Sequence, residues 1–539
     1  MEMSGAQIIT DRLIRHEATT VFGYPGAAVL PLYDELLKNS GKIKHVLTAH
    51  EQGAVHAADG YARASGKTGV AIATSGPGAT NMVTGIANAY LDNVPLVAIT
   101  GNVPVTLMGR DSFQEVDIVG ITQAVVKHSY VARDVKNLGE ILDEAFQIAE
   151  EGRRGPVLVD IPKNVQTERR VNAGDDYENF SGVPGKPADG FDAEKIIRAI
   201  QECERPFIYA GGGVIAGGAQ EELRLLSERI GAPVGLSMMG VSAVPDSYAL
   251  NMGMCGLYGK RSANAALAEC DLLIAAGVRF SDHATGDAGS FAKGKTIIHI
   301  DIDVAEIGKN IPPQIEVCAD VRDVFKAVLR GVPEMRRDGW LTRALSLKQT
   351  GAPPEKPGFW PRPIIEAVQR VCDAETVIAT DVGQHQIWAA HYYRFQNPRT
   401  FLTSGGLGAM GYGMGAAIGG CLAKGGKRTV LFTGDGSFGM NLIELATAVS
   451  EELPITVIIM NNGALGLPRQ WQGMFYGGRY SQSTLNRKTD FAALTEAFGA
   501  CGRRAGSLSD LNEALSDMPD NVPTVIDCMI DMDERTPFA

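Results

Sequence analysis

Residues 427–466 constrain the fold of this 539-residue chain more than any other segment. They read KRTVLFTGDGSFGMNLIELATAVSEELPITVIIMNNGALG. One apolar run ends at GDG (434–436), a helical pattern covers residues 440–452, and a second apolar run ends at NN (461–462). This order predicts a βαβ unit with two parallel strands. Because such crossovers are nearly always right-handed, the carboxyl ends of both strands are expected at one edge of the sheet.

Asp435 and Asn462 therefore come just past two neighbouring strand ends. A carboxylate and an amide oxygen suit a hard divalent cation that carries phosphate oxygens, and the glycines allow the backbone to approach it closely. The alternative is a pair of ordinary glycine turns after two core strands. The segment predicts a cation and phosphate site at this edge of the sheet.

Residues 70–102 repeat the pattern of 430–462 with one residue of slack in each interval. GPG (76–78) falls opposite GDG, and Asn102 falls opposite Asn462. We interpret this as one βαβ module used twice, with a chance match of two generic units as the alternative. Duplication predicts two similar domains that can pack face to face with a ligand between them.

A chain of this length is too long for a single core. With 45% hydrophobic and 21% charged residues, its composition is typical of an α/β protein. Apolar runs that alternate with helical patterns predict three doubly wound α/β domains with mostly parallel sheets. We place the domains at residues 1–170, 189–340 and 360–530, and linkers rich in Gly or Pro at 172–187 and 351–363.

Several classes of function are disfavoured by the composition. A net charge of −12 argues against a nucleic-acid partner, which requires a basic surface. The eight cysteines include no C-x-x-C and are expected to be reduced, and the nine histidines include no H-x-x-x-H pair of the kind that binds zinc. Since the sequence has neither a leader pattern nor an apolar run long enough to span a bilayer, we expect a cytoplasmic protein without a membrane partner.

GDG, then 24 residues, then NN is the spacing of the thiamine-diphosphate fold. In that fold Mg²⁺ takes oxygen ligands, and Asp435, the Asn462 side chain and the Ala464 carbonyl are placed to supply three of them. The fold also requires a glutamate from its N-terminal domain that hydrogen-bonds the cofactor's aminopyrimidine. Glu51, between a strand end and a helix start, is the candidate. Its alternative role is that of a first-turn acid favoured by the helix dipole.

Over nearly its whole length the sequence resembles the large, catalytic subunits of the acetolactate synthase (acetohydroxyacid synthase) family. RQWQ in particular is typical of this branch rather than of thiamine-diphosphate enzymes in general. The matching stretches are GYPG (23–26), LPLYD (30–34), HEQGA (50–54), GYARASGK (60–67), SGPGATN (75–81), FQEVDIVG (113–120), GPVLVDIPK (155–163), HIDIDVAEIGKN (299–310), VGQHQIW (382–388), GGLGAMGYG (405–413), GDGSF (434–438) and RQWQ (469–472).

The resemblance implies a thiamine-diphosphate-dependent transferase of branched-chain amino-acid biosynthesis. Such an enzyme decarboxylates pyruvate and condenses the hydroxyethyl group with a second pyruvate, giving 2-acetolactate, or with 2-ketobutyrate, giving 2-aceto-2-hydroxybutyrate. A simple 2-ketoacid decarboxylase is the nearest alternative, and RQWQ argues against it. Glu51 argues against a glyoxylate carboligase, which lacks this glutamate. A non-catalytic scaffold is disfavoured because Asp435, Asn462 and Glu51 are all present, and a flavin oxidoreductase is less favoured still.

The resemblance also implies roles for individual residues. Met410 would hold the cofactor in its bent form, and Trp471 would limit the size of the second 2-ketoacid. The implied catalytic residues are Glu51, Gln114, Lys163 and Met410. The substrate residues are Phe113, Gln114, Lys163, Leu467 and Trp471. The residues around thiamine diphosphate and Mg²⁺ are Pro25, Gly26, Glu51, Val382, Gly383, Gln384, His385, Gly408, Met410, Gly434, Asp435, Gly436, Ser437, Asn462, Ala464, Gly466 and Leu467.

FAD, which does no net redox chemistry in this family, is a third implied cofactor. Its implied residues are Arg153, Gly212, Gly213, Gly277, Arg279, Asp301 and Asp320. The sequence departs from the family pattern at Ala27, Leu257-Tyr258, Ser281-Asp282-His283 and Leu467-Pro468. Because the cofactor lies between domains of different chains in this family, the resemblance implies a homodimer or a tetramer, together with a small regulatory subunit.

Overall fold

The computed structural model describes residues 2–171, 190–350 and 356–537. These residues form three six-stranded sheets, each wholly parallel, and one two-stranded antiparallel ribbon. Helices flank the three sheets, as predicted for doubly wound α/β domains. The predicted linker 172–187 and the first five residues of the linker 351–363 lie outside the described residues.

The N-terminal sheet has the strand order β3-β2-β4-β5-β7-β6, and β1 pairs with β8 in the antiparallel ribbon. The strands are β1 (Glu2–Ser4), β2 (Thr20–Tyr24), β3 (Lys44–Leu47), β4 (Gly69–Ala73), β5 (Leu96–Asn102), β6 (His128–Val131), β7 (Pro156–Pro162) and β8 (Arg169–Val171). The helices are α1 (Gly5–Arg15), α2 (Leu30–Lys38), α3 (Glu51–Ser65), α4 (Pro77–Asn81), α5 (Val83–Leu91), α6 (Ile118–Thr122), α7 (Leu138–Glu150) and α8 (Lys163–Thr167).

The middle sheet has the order β11-β10-β9-β12-β13-β14, which is the strand order 3-2-1-4-5-6 of dinucleotide-binding sheets. Its strands are β9 (Pro206–Ala210), β10 (Val234–Leu236), β11 (Asn251–Met254), β12 (Leu272–Ala276), β13 (Thr296–Asp301) and β14 (Ile315–Cys318). The helices are α9 (Ala193–Glu202), α10 (Gly212–Ala216), α11 (Gln220–Ile230), α12 (Arg261–Glu269), α13 (Asp282–Thr285), α14 (Ala288–Ala292), α15 (Val321–Gly331) and α16 (Asp338–Thr350).

The C-terminal sheet has the order β16-β15-β17-β18-β20-β19. Its strands are β15 (Val377–Thr380), β16 (Phe401–Leu402), β17 (Thr429–Gly434), β18 (Ile455–Asn461), β19 (Cys501–Ala505) and β20 (Thr524–Met529). The helices are α17 (Pro361–Gln369), α18 (Gln384–Tyr392), α19 (Gly413–Ala423), α20 (Asp435–Asn441), α21 (Leu445–Ser450), α22 (Gly466–Phe475), α23 (Phe491–Ala497) and α24 (Leu508–Ser516).

The first and third sheets have the same topology. Counted from β2 and from β15, both have the strand order 2-1-3-4-6-5. In the matched βαβ modules, β4 pairs in parallel with β5, and β17 pairs in parallel with β18. Both crossovers contain a broken helix: α4 followed by α5 in one module, α20 followed by α21 in the other. The structure therefore supports the predicted duplication.

One detail of the sequence prediction was wrong. The crossover helix predicted at 440–452 begins at Asp435 and is interrupted by a 3₁₀ turn at Leu442–Glu444. The early start has a local cause, since the Ser437 hydroxyl accepts a hydrogen bond from the Gly434 amide at the helix start.

The two duplicated domains pack against each other through α3 and α19. Glycines make this contact close: a Cβ at Gly60 would lie 2.4 Å from the Ala416 carbonyl oxygen, and one at Gly419 would lie 1.9 Å from that of Ala57. A single hydrophobic core accordingly contains residues of both domains. Among the described residues, no helix combines the length and apolar character that crossing a bilayer requires.

Gly419→Ala should destabilise the fold, because its methyl group would overlap the backbone of α3. We expect a loss of about 1–3 kcal/mol, which is the usual effect of overpacking a core. The matched control is Gly339→Ala, also a helical glycine, at which an added Cβ meets no atom within 4 Å. Thermal unfolding should show a lower midpoint for Gly419→Ala and an unchanged or slightly higher one for Gly339→Ala. Equal midpoints for the two variants would contradict the close helix contact.

Candidate active site

Many of the predicted site residues follow strands at the carboxyl edges of the sheets. In the C-terminal domain, Val382 to His385 follow β15, Gly408 and Met410 follow β16, Asp435 follows β17, and Asn462 follows β18. In the N-terminal domain, Glu51 follows β3 and Lys163 follows β7. This is the edge at which open α/β sheets bind their ligands.

Asp435 is buried at the start of α20. Burial raises the pKa of its carboxyl group to about 6, and the nearby charge of Asp527 adds to this effect. A cation at this position would favour the ionised form of the carboxylate. The chemistry of Asp435 therefore suits the metal ligand that the sequence predicts.

Asn462 has its side-chain amide fixed in one orientation. Its Oδ1 accepts a hydrogen bond from the Ala464 amide at 3.1 Å, and its Nδ2 donates to Oε1 of Gln384 at 3.2 Å. Gln384 is fixed in turn, since its Nε2 donates to Oε1 of Gln470 and to the carbonyl of Glu534. The Gln384 side chain thus orients Asn462, while its own amide nitrogen, predicted to bind diphosphate, already has two protein acceptors.

The glycines around this site are required by close packing. A Cβ at Gly466 would lie 1.9 Å from Oε1 of Gln384, and one at Gly436 would lie 2.7 Å from the Leu465 side chain. A Cβ at Gly434 would lie 3.0 Å from Nδ1 of His385. Side chains at these positions would fill the space in which a diphosphate must approach the backbone.

His385 contributes a buried imidazole to the same site. Burial lowers its pKa to about 3, so the ring is neutral near pH 7. Its Nε2 is buried without a hydrogen-bond partner among the described residues. A buried, unpartnered ring nitrogen beside Gly434 fits the prediction that a polar cofactor binds here.

Asp381 belongs to the site, although the sequence analysis assigned it no role. Its Oδ1 accepts hydrogen bonds from the Val382 amide at 2.9 Å and the Gly411 amide at 2.8 Å. This carboxylate ties the segment after β15 to the loop that carries Met410, which is half-buried. Asp381 directly precedes the VGQHQIW motif, and its position after the short apolar run 377–379 was the signal available in the sequence.

Glu51 is buried at the start of α3, and its Oε2 accepts a hydrogen bond from Nδ2 of Asn81 at 2.9 Å. The residues before it are held by the C-terminal domain, since the Glu444 carboxylate accepts hydrogen bonds from the amides of Ala49 and His50. Asn81 and Glu444 are therefore further site residues that the sequence analysis did not identify. Within the described part of the chain, no hydrogen bond joins Glu51 to the Asp435–Asn462 group.

The other candidate residues of the N-terminal domain follow strands of the same sheet as Glu51. Gln114 has a positive φ of 58°, and its backbone packs against Gly76, where an added Cβ would lie 2.9 Å from it. Phe113 is 87% exposed in the single chain, and Lys163 is half-buried. In the GYPG turn, Pro25 is exposed, whereas Gly26 packs against Thr74.

A cavity of about 710 Å³ lies at the junction of the three domains. Its wall includes the seven residues predicted to contact FAD: Arg153, Gly212, Gly213, Gly277, Arg279, Asp301 and Asp320. It extends into the C-terminal domain as far as Val382, Gly408, Leu467 and Trp471. This volume lies in the range of cavities that bind cofactor-sized ligands.

The cavity wall is shaped by close backbone contact and by charge. Gly213 approaches Gly277 so closely that a Cβ on it would lie 2.7 Å from the Gly277 Cα. Burial raises the pKa of Asp301 to about 6. Arg153 donates from Nη1 to Asp303 at 3.0 Å and to Glu306 at 2.6 Å.

The two departures in the predicted FAD region contact each other. The rings of Tyr258 and His283 meet edge to face with centroids 6.0 Å apart, and the Leu257 amide donates to the His283 carbonyl. Tyr258, Ser281 and His283 all line the cavity. The departures therefore form one local change in the cavity wall.

Comparison with known proteins identifies the family. Residues 3–121 match the N-terminal TPP binding domain of thiamine pyrophosphate enzymes, residues 193–328 match their central domain, and residues 381–528 match their C-terminal TPP binding domain. The chain belongs to the thiamine pyrophosphate enzyme family. Because it contains both TPP binding domains of that family, its cofactor is thiamine diphosphate.

Curated relatives within this family are similar to the chain over nearly its whole length. A probable acetolactate synthase large subunit from Methanocaldococcus jannaschii is 42% identical over 100% of this chain and 93% of the relative. The acetolactate synthase large subunit of Parasynechococcus marenigrum is 44% identical over 97% of this chain and 87% of the relative. The large subunit of acetolactate synthase isozyme 3 from Escherichia coli is 40% identical over 99% of this chain and 96% of the relative. This thiamine pyrophosphate enzyme belongs with the acetolactate synthase large subunits.

Proposed function

We propose that this chain is the catalytic subunit of an acetolactate synthase. It joins pyruvate, with loss of CO₂, to a second pyruvate or to 2-ketobutyrate, giving 2-acetolactate or 2-aceto-2-hydroxybutyrate in branched-chain amino-acid biosynthesis. The observation that carries this proposal is the 40–44% identity to acetolactate synthase large subunits over 97–100% of the chain. RQWQ (469–472), on the helix that borders the predicted diphosphate site, supports the same branch.

Mg²⁺ is the second proposed cofactor. Asp435, the Asn462 side-chain oxygen and the Ala464 carbonyl would hold it, since Mg²⁺ prefers such oxygen ligands. The fixed Asn462 amide and the buried Asp435 carboxylate support this assignment. The loop that carries Ala464 is held in place as well, because the Leu465 amide donates to the Ser483 carbonyl and the Leu485 amide to that of Gly463.

When bound, thiamine diphosphate supplies the electron sink that makes decarboxylation of a 2-ketoacid possible. The chain positions the cofactor and moves the proton. The Glu51 carboxyl group would hydrogen-bond the aminopyrimidine and promote its imino form, and the amide of Asn81 holds one carboxyl oxygen in place. Met410, on the loop anchored by Asp381, would keep the cofactor bent. Val382, Gly383, Gly408 and Ser437 would complete its surroundings.

Two chains are needed for a complete site in this proposal. Glu51, Phe113, Gln114 and Lys163 of one chain would face the Asp435–Asn462 group of another. Phe113 is 87% exposed in the single chain, which supports a homodimer as the minimum assembly. The relatives are named as large subunits, which supports a small regulatory subunit as a further partner.

FAD is the third proposed cofactor, in the cavity between the three domains. The size of the cavity supports a dinucleotide ligand. The strand order 3-2-1-4-5-6 of the middle sheet and the close backbone contact between Gly213 and Gly277 support the same ligand. When bound, FAD would do no net redox chemistry. The residues that would hold it are the seven predicted from the sequence.

Product analysis with a visible spectrum tests these proposals. Purified protein with thiamine diphosphate and Mg²⁺ should convert pyruvate to acetolactate, and added 2-ketobutyrate should divert product to 2-aceto-2-hydroxybutyrate. Free acetaldehyde instead would indicate a decarboxylase, and absence of cofactor-dependent CO₂ release would indicate a non-catalytic protein. A flavin spectrum should accompany the purified protein; its absence after reconstitution with FAD would exclude the third cofactor only.

A further inference from the structure

Trp471 lines the cavity together with Val382 and Gly408, two residues of the predicted cofactor site. It belongs to α22, which begins four residues after Asn462, and it lies one turn after Leu467 on the same side of that helix. Both side chains line the cavity. This position agrees with the predicted role of Trp471 beside the second 2-ketoacid.

The Trp471 indole is the most exposed of the four in this chain. It is 37% exposed, whereas Trp340, Trp360 and Trp388 are 5%, 8% and 2% exposed. Packing therefore restricts the two side-chain dihedrals of Trp471 less than it restricts those of the other three tryptophans. A side chain that selects substrates by size must keep a fixed position. Discrimination between two substrates that differ by one methylene group depends on shifts of only about a few tenths of an ångström in the position of the pocket wall.

A hydrogen bond from the middle domain provides that constraint. Nε1 of Trp471 donates to the hydroxyl oxygen of Tyr258 at 2.8 Å. The ring of Phe475 on the same helix lies edge to face with the indole, and the ring centroids are 5.9 Å apart. The hydrogen bond selects one orientation of the indole.

Tyr258 is itself held from two sides. Its carbonyl accepts a hydrogen bond from Nε2 of His391 on α18, and burial lowers the pKa of His391 to about 4, so that ring stays neutral. Its own ring packs against His283. Tyr258 thus connects α18, which begins at the predicted diphosphate residues, with α22, which carries Trp471.

We propose that Tyr258 is a positioning residue for acceptor choice: its hydroxyl fixes Trp471 as the wall that limits the length of the second 2-ketoacid. This inference rests on the proposed carboligase function. The departure from the family pattern at residue 258 then has a specific consequence. A side chain that places no hydroxyl oxygen there leaves the Trp471 indole N–H without the acceptor that Tyr258 supplies.

The test compares acceptors of increasing length in the assembled, cofactor-loaded enzyme. Pyruvate is the donor, and 2-ketobutyrate and 2-ketovalerate compete as acceptors. Tyr258→Phe should raise the product ratio of 2-ketovalerate to 2-ketobutyrate about three- to tenfold, the range expected for loss of one hydrogen bond. Both products form in one reaction, so a change in total activity cancels. The matched control is Tyr480→Phe. The Tyr480 ring stacks on Arg469, which lies on α22 as Trp471 does, and loss of the Tyr480 hydroxyl should leave the product ratio unchanged.

A second measurement follows the hydrogen bond without using activity. In protein labelled with 5-fluorotryptophan, Tyr258→Phe should shift the ¹⁹F resonance of Trp471, assigned from a Trp471→Phe spectrum, and leave the other three in place. If Tyr258→Phe fails to fold, slow exchange of the Trp471 indole proton in the wild-type protein supports the hydrogen bond, and fast exchange overturns it.

The outcomes separate this inference from the function on which it rests. An unmoved Trp471 resonance, or a moved one with an unchanged product ratio, overturns the role of Tyr258 while acetolactate formation stands. A wild-type enzyme that forms no condensation product with any acceptor overturns the proposed function and this inference with it.

Discussion

Replacing Glu51 with glutamine should lower the turnover of pyruvate by about two to four orders of magnitude, the usual contribution of general acid–base catalysis. Glutamine keeps the size of the side chain, but it cannot exchange a proton with the aminopyrimidine. The Asn81 amide donates to Oε2 of Glu51 at 2.9 Å, and the glutamine side-chain oxygen can still accept that bond. The fold should therefore survive. Steady-state rates at saturating thiamine diphosphate and Mg²⁺ measure the effect.

The matched control for this prediction is Glu222→Gln. Glu222 is also a buried glutamate in the first turn of a helix, α11 of the middle domain, where it pairs with Arg322. Its replacement should leave turnover within about twofold, since surface and structural charges away from a site have small effects. Near-wild-type turnover in Glu51→Gln would reject the catalytic role of Glu51, and circular dichroism of both variants would show whether the fold is kept.

The sequence predicted the parts of the site that depend on local pattern. Asp435 and Asn462 are identified by the apolar runs before them, because those runs form parallel strands whose carboxyl ends share one edge. The identical strand orders of the first and third sheets follow from the repeat at 70–102 and 430–462. Local pattern also explains the bounds of β9, β12 and β13, since each is a short apolar run that ends at a glycine or polar turn.

Contacts between distant segments could not be predicted in the same way. Gly60 and Gly419 look like ordinary helical glycines in the sequence, and only the packing of α3 against α19 gives them a role. The bond between Asn81 and Glu51 and that between Gln384 and Asn462 join residues 30 and 78 positions apart. Residue type and spacing say nothing about such pairs without a fold.

The departure at Tyr258 illustrates a different limit. The sequence places it in the predicted FAD region, and the structure does place it on the cavity wall. Its hydroxyl, however, bonds to Trp471, a residue 213 positions away that was predicted to limit the size of the acceptor. One residue therefore touches both predicted regions, a connection that depends on how the middle and C-terminal domains are placed.

Asp435→Asn should weaken the binding of Mg²⁺ and thiamine diphosphate by at least about 10- to 100-fold. That is the usual effect on metal affinity of losing an outer-shell partner, and Asp435 is proposed as a direct ligand. Asparagine has the size of aspartate but removes the one carboxylate among the three proposed protein ligands. Burial raises the pKa of Asp435 to about 6, so near pH 7 the wild-type group is available in its ionised form. Titration of apoprotein with thiamine diphosphate at fixed Mg²⁺, followed by calorimetry, measures the affinity.

Asp301→Asn is the matched comparison, because the two aspartates share several properties. Asp301 also lies at the carboxyl end of a parallel strand, is also buried, and also has a pKa raised by burial to about 6. It lies on the wall of the proposed FAD cavity instead. Asp301→Asn should therefore change flavin retention and leave the affinity for thiamine diphosphate intact, and Asp435→Asn should do the reverse. The same loss in both variants would mean that a buried charge at a sheet edge matters for the fold alone, and the metal assignment of Asp435 would be wrong.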